Sequence, residues 1–148
     1  MEGLRASGFV NGDNLITEVG PYRVTIEGEI ACLGGIVVNV LKTLEVLRGE
    51  GLDAVVQTVT YAYNASVRNG FNVFRYDNLH RFKGHPDSHH KHTYDWLTGE
   101  EVAETPEPVG AEGWPSLTDV IVEAQKWHGD HYDELENPDK FPELAARG

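Results

Sequence analysis

The chain has 148 residues, with 12 Lys+Arg against 24 Asp+Glu and a formal net charge of −12 at pH 7. This length fits one domain and excludes a multidomain enzyme, while 40% hydrophobic and 24% charged residues exclude a wholly disordered chain. The single cysteine, Cys32, excludes an intramolecular disulfide and a cysteine-rich zinc module. In chain order, residues 1–20 are turn-rich. Phe9-Val10 and Leu15-Ile16 read either as short strands flanking an Asn11-Gly12-Asp13-Asn14 turn or as an irregular arm. Tyr22, Val24 and Ile26 alternate with polar residues, the strand period, and Gly28 is placed to break that strand. Ile30 to Leu33 then runs into a Gly34-Gly35 hairpin turn.

Ile36 to Leu47 carries Ile36, Val38, Val40, Leu44 and Val46 on even positions, with Lys42 the exception. A helix is the rival over Val40 to Arg48, but the β-branched content favours a strand. The clearest strand follows, with Val55, Val59, Tyr61, Tyr63, Ala65 and Val67 on one face. Asn69-Gly70 is a strong hairpin signal, and Phe71 to Asp77 is the return strand. His89 to Trp96 reads as a fifth strand with His90, His92, Tyr94 and Trp96 on one face, and Leu97 to Gly113, with five glutamates, as an exposed loop. Ser116 and Asp119 stand where a capping box belongs. Leu117, Val120, Ile121, Ala124 and Trp127 then follow helical spacing, with Gly129 as the C-terminal stop. The expectation is an α+β domain over 1–129: an antiparallel meander of four to six strands with one amphipathic helix on one face, Val55, Val59, Tyr61 and Tyr63 packing on Leu117, Val120, Ile121 and Ala124. Residues 130–148 read as an acidic tail.

The N-terminal Met1-Glu2-Gly3-Leu4 has neither a basic n-region nor an apolar h-region, and no run approaches the ~20 apolar residues that span a bilayer. The expectation is a cytoplasmic protein away from membranes. Net charge −12 argues against general coating of nucleic acid, and the acid-rich, lysine-poor surface would suit a high-salt cytoplasm. The charge is uneven. From Arg68 to Tyr94 there are five basic residues, two acidic ones and five of the seven histidines. This window is expected to fold into one positively charged hollow.

The histidines run His80, His85, His89, His90 and His92. A metal site would need converging imidazoles with Asp77 or Asp87, but Arg81 and Lys91 would repel a cation, so no metal or cofactor is expected. Acid–base chemistry on a phosphodiester suits the window better. It needs a proton acceptor, a proton donor and fixed positive charge, roles for histidine, arginine and lysine. Tyr76 and Tyr94 are available for stacking or proton transfer. A non-catalytic module, whose cationic His-rich loop docks an acidic partner or a phosphate ligand, is the alternative. Solvated loop histidines, and an Arg75–Asp77 pair serving only the fold, are the blander possibility.

The order Tyr61-Ala62-Tyr63, Phe74-Arg75-Tyr76-Asp77-Asn78, His89-His90-Lys91-His92 and Pro115-Ser116-Leu117-x-x-Val120 resembles the TumE-type toxin family of small prokaryotic proteins. The resemblance covers much of Glu27 to Trp127. It implies the toxin half of a toxin–antitoxin pair, with a cognate antitoxin as partner; ribonuclease action on RNA is the expectation drawn from common toxin chemistry and the residues above, and a homodimer is an allowed state. It marks Arg75, Asp77, His90, Lys91 and His92 as catalytic candidates, with His90 or His92 as acid or base and Arg75 and Lys91 as phosphate stabilisers. Tyr76, Arg81, Lys83, His85 and His89 follow as substrate-binding candidates.

Overall fold

A computed structural model describes residues 8–48, 55–67, 70–79, 88–102, 105–110 and 112–136. The predicted positions Arg68, Asn69, His80, Arg81, Lys83, His85 and Asp87, the side chain of Val55 and the chain after 136 lie outside the described residues. The strands are β1 (Val10–Asp13), β2 (Ile16–Val19), β3 (Arg23–Cys32), β4 (Ile36–Arg48), β5 (Val55–Val67), β6 (Asn72–Asp77), β7 (His90–Thr93) and β8 (Glu107–Pro108); the helices are α1 (Leu117–Asp130) and α2 (Tyr132–Glu136). One antiparallel sheet of eight strands runs β1-β3-β4-β5-β6-β7-β8, with β2 also on β3. The α+β architecture is as expected, with more strands than the four to six read from the sequence.

The two extra N-terminal strands arise because β1 and β2 do not pair with each other. Both lie along β3: Asp13 opposite Ile30, and Ile16 opposite Glu27. The joint sits at Gly28, which does not end the strand. Its φ of +144° suits glycine, and a Cβ there would stand 2.7 Å from Asn14 Oδ1. The space lets Asn14 Oδ1 accept from Glu29 N at 2.6 Å. The Gly34-Gly35 turn is as read: φ of +71° and +75° close a short 3₁₀ turn between β3 and β4.

Directly opposed residues share a sheet face, so the register sorts side chains. Val40 faces Tyr63, Val38 faces Ala65, and Ala65 faces Phe74. With Ile30 and Ile36 these meet Val120, Ile121 and Ala124 of α1 in the buried core. Tyr61, Tyr63, Val120 and Ile121 are fully buried, whereas Val59 and Leu117 are half-buried. Each fully buried aliphatic side chain contributes about 1.5–3 kcal/mol, so α1 is held by its apolar stripe. Its start is the predicted capping box: Asp119 N donates to Ser116 Oγ at 3.1 Å and Ser116 N to Asp119 Oδ2 at 3.0 Å.

Three boundaries differ from the sequence reading. The helix runs through Gly129 to Asp130 and is capped by His131, whose N–H bonds to Trp127 and His128 carbonyls. Residues 132–136 are helical, and Leu135 packs on the core. The 97–113 segment is not merely a loop: Glu101 bridges Tyr94, and Glu107–Pro108 extends the sheet beyond β7. No helix among the described residues is long and apolar enough to cross a membrane.

Candidate functional site

Strand alternation divides the predicted residues between two environments. Asn64 stands opposite Arg75, Arg75 opposite His92, and Asp77 between Ala62 and His90. These lie on the face away from α1. Tyr76 stands between Tyr63 and Lys91, on the face that α1 covers. Arg75, Asp77, His90 and His92 are therefore brought together, and Lys91 and Tyr76 are not.

On the helix-free face, Arg75 Nε donates to Asp77 Oδ2 at 2.8 Å. Asp77 is only 3% exposed; its other oxygen accepts from Leu79 N at 3.3 Å. The same Oδ2 lies 3.5 Å from His92 Nε2, and His92 Nδ1 is 2.7 Å from Glu101 Oε1. The ring thus sets Nδ1 against Glu101 and Nε2 toward Asp77. Thr105 Oγ1 lies 3.0 Å from the same Glu101 oxygen and 2.8 Å from the Val102 carbonyl. The rings of His92 and Tyr94 stack at 6.4 Å between centroids. Burial first, then the Glu101 charge, raises the Tyr94 hydroxyl above its ordinary range and keeps it a proton donor.

His90 is fully buried, with Nδ1 2.8 Å from the Ser88 carbonyl. Its burial withdraws it from direct contact with a substrate. Arg68, His80, Arg81, Lys83 and His85 of the expected positive hollow lie outside the described residues. Among the described residues the cluster sets one guanidinium, Arg75, against two carboxylates, Asp77 and Glu101. No group of three His, Cys, Asp or Glu side chains among the described residues converges as a metal-binding set.

On the covered face, Lys91 Nζ meets Glu123 Oε2 of α1 at 2.7 Å, and Tyr76 Oη donates to Glu123 Oε1 at 2.6 Å. Lys91 also lies over the Phe74 and Tyr76 rings, 5.5 and 5.2 Å from their centroids. Burial, then the hydrogen bond to Glu123, pushes the Tyr76 hydroxyl far up. This group ties the helix to the sheet. His89 belongs to the same side, stacked on Tyr61 and Trp114, with Nδ1 3.0 Å from Tyr61 Oη. It edges a cavity of about 490 Å³ with Trp114, Asn78 and Gln57.

Three functional positions were not read from the sequence. Glu101 sat in a segment taken for loop, and only pairing with Tyr94 carries it to His92. Glu123 lies on the helix, one turn beyond the capping-box Asp119, with nothing to announce its partners. Asn78 works as backbone: its Oδ1 accepts from Tyr61 N and its Nδ2 donates to Val59 O, both at 2.9 Å. It thereby satisfies the β5 backbone just beyond Ala62–Asp77, the last pair with β6. No protein-family model, curated protein or solved structure matches the chain.

Proposed function

We propose that the helix-free face is a metal-independent acid–base site that cleaves RNA, and that the protein is the toxin of a toxin–antitoxin pair. The carrying observation is the imidazole of His92 held between Glu101 and Asp77, with Arg75 on the same Asp77 oxygen. Two anchored carboxylates fix the ring, as an orienting acid does for a catalytic histidine. In this reading His92 Nε2 takes the proton from a ribose 2′-hydroxyl, and O2′ bonds to phosphorus. The P–O5′ bond breaks, and the Tyr94 phenol gives its proton to the leaving O5′. The proton on His92 then returns to Tyr94. Arg75 keeps four N–H donors beyond the one on Asp77 and faces the charge that builds on the phosphoryl oxygens. The toxin assignment rests on the resemblance of the FRYDN and HHKH segments, and a cognate antitoxin is its expected partner.

A second reading, docking without turnover, is favoured by the pairing of Arg75 and His92 to carboxylates inside the protein. One assay separates the two. Purified protein is given small RNAs in chelator, and the ends are analysed. The acid–base reading expects 2′,3′-cyclic phosphate and 5′-hydroxyl ends, and His92→Ala slower by roughly 10²–10⁴-fold. Equal cleavage by wild type and His92→Ala would overturn the role of His92. Salt-sensitive RNA binding with no product would favour docking.

A further inference from the structure

Beside the His92 cluster, on the same face, lies a cavity of about 280 Å³ lined by Asn39, Leu41, Ala62, Asn64, Asn72 and Arg75. It is smaller than the ~300–1,000 Å³ typical for drug-sized ligands, the right scale for one planar ring system. Asn64 is 9% exposed. Its Nδ2 donates to Asn72 Oδ1 at 2.9 Å, while its Oδ1 is buried with no hydrogen-bond partner among the described residues. A buried acceptor left without a donor is unfavourable and uncommon in a folded protein. The fold retains it in the middle of β5, in a residue that lines the hollow.

We infer that this hollow binds the nucleobase of the RNA substrate, with Asn64 Oδ1 accepting an N–H from the base edge. The inference rests on the proposed function and adds to it the substrate contact next to the chemistry. Asn39, Asn64, Arg75 and His92 form one row across β4, β5, β6 and β7. Neighbouring strands lie ~4.8 Å apart, so Asn64 and His92 are about 10 Å apart across Arg75. A base at Asn64 would carry its ribose and 3′-phosphate across Arg75 toward His92. Asparagine suits the task because an amide presents a donor and an acceptor side by side to a base edge. Leu41 and Ala62 supply apolar surface for the ring. An unmade acceptor selects bases that carry a donor there, because a base lacking it leaves Asn64 unpaired.

The test uses the full chain and four nucleoside 3′-monophosphates, with ribose 3-phosphate and inorganic phosphate as base-free probes. Binding is followed by titration and by the side-chain amide signals of Asn64 and Asn72 in ¹⁵N spectra. Nucleotides are expected to bind about tenfold tighter than ribose 3-phosphate, with one base preferred and both amides shifted. Asn64→Leu, nearly isosteric and without an acceptor, should bring the four nucleotides within about threefold of one another while leaving inorganic phosphate binding at a measurable level. Asn64→Ser serves as a second variant should the leucine unfold the chain. Equal binding of nucleotides and ribose 3-phosphate, with unmoved amides, overturns the inference. Base-selective binding without RNA cleavage keeps the base site and overturns the catalytic reading. Cleavage without base preference does the reverse.

Discussion

The two faces of β6 and β7 use the same chemistry for different ends. On the covered face Glu123 receives Lys91 and Tyr76, two sheet donors to one helix carboxylate, which locks two layers together. On the other face Asp77 and Glu101 receive Arg75 and His92, two carboxylates that hold a base and a guanidinium in a fixed relation without any helix above them. Lys91 and His92 are neighbours in the chain and serve opposite faces. The difference teaches that a cationic run in a strand is not a cationic patch, because the pleat sends alternate charges apart.

The comparison breaks most sharply when each face is emptied. Ile121 is fully buried under the helix, so Ile121→Ala should destabilise by about 2–5 kcal/mol in denaturant titration. Under the proposed ribonuclease reading, the folded fraction should keep the wild-type cleavage rate. His92→Ala should do the opposite, losing the rate and keeping most of the stability. A variant at either position that moved both quantities together would erase the distinction between the faces.

A smaller effect is expected at the far end of the sheet. Gly28→Ala introduces a Cβ against Asn14 at a φ of +144° and should destabilise by roughly 1–3 kcal/mol. Loss of hydrogen-exchange protection should be confined to β1 and β2. Smaller again is the Lys91–Glu123 pair, whose side chains are 22% and 34% exposed. A double-mutant cycle with Lys91→Met and Glu123→Gln should give a coupling of about 0.5–1 kcal/mol. Cleavage by Lys91→Met should match wild type. A drop as large as that of His92→Ala would return Lys91 to the site.

Much of the fold was legible because it rests on period. Tyr61, Tyr63 and Ala65 announce β5, and Ser116 with Asp119 announces the start of α1. The shared face of His90 and His92 was legible for the same reason. That alternation also sends Lys91 to the other face; grouping it with its neighbours followed chain proximity where the pleat should have ruled. Trp96 fails the pattern for a different cause. Asp95 opens a turn, accepting from Leu97 N at 2.9 Å, and the reversal carries Trp96 into the core against Trp127. Period tells which side chains share a face but not which distant carboxylate closes on them, so Glu101 and Glu123 could not be named in advance. The pairing of β1 and β2 with β3 was likewise hidden, since it depends on one missing Cβ.

The finest contrast lies between the two buried amide and hydroxyl groups of consecutive residues, one on each face. Asn64 Oδ1 and Tyr63 Oη are both buried without a hydrogen-bond partner among the described residues. Asn64 borders a hollow that a ligand can enter, whereas Tyr63 lies within the core under α1. For Tyr63 the hydroxyl therefore has only an unfavourable role, and Tyr63→Phe should stabilise by about 0.5–1.5 kcal/mol at pH 7. The pH dependence sharpens this. Burial pushes the Tyr63 hydroxyl up to about 12 and the Cys32 thiol up to about 11. Unfolded tyrosine and cysteine ionise near 10 and 8.5. Above those values the unfolded chain releases protons that the folded chain retains, so stability falls as pH rises. The decline should begin with Cys32 at about pH 8.5–9 and steepen above about pH 10 as the tyrosines join. Tyr63→Phe should flatten the segment between about 10 and 12, read as the denaturation midpoint against pH, and leave the Cys32 segment in place. An unchanged slope there would mean that the Tyr63 hydroxyl ionises as readily folded as unfolded, and that it is not the sealed counterpart of Asn64.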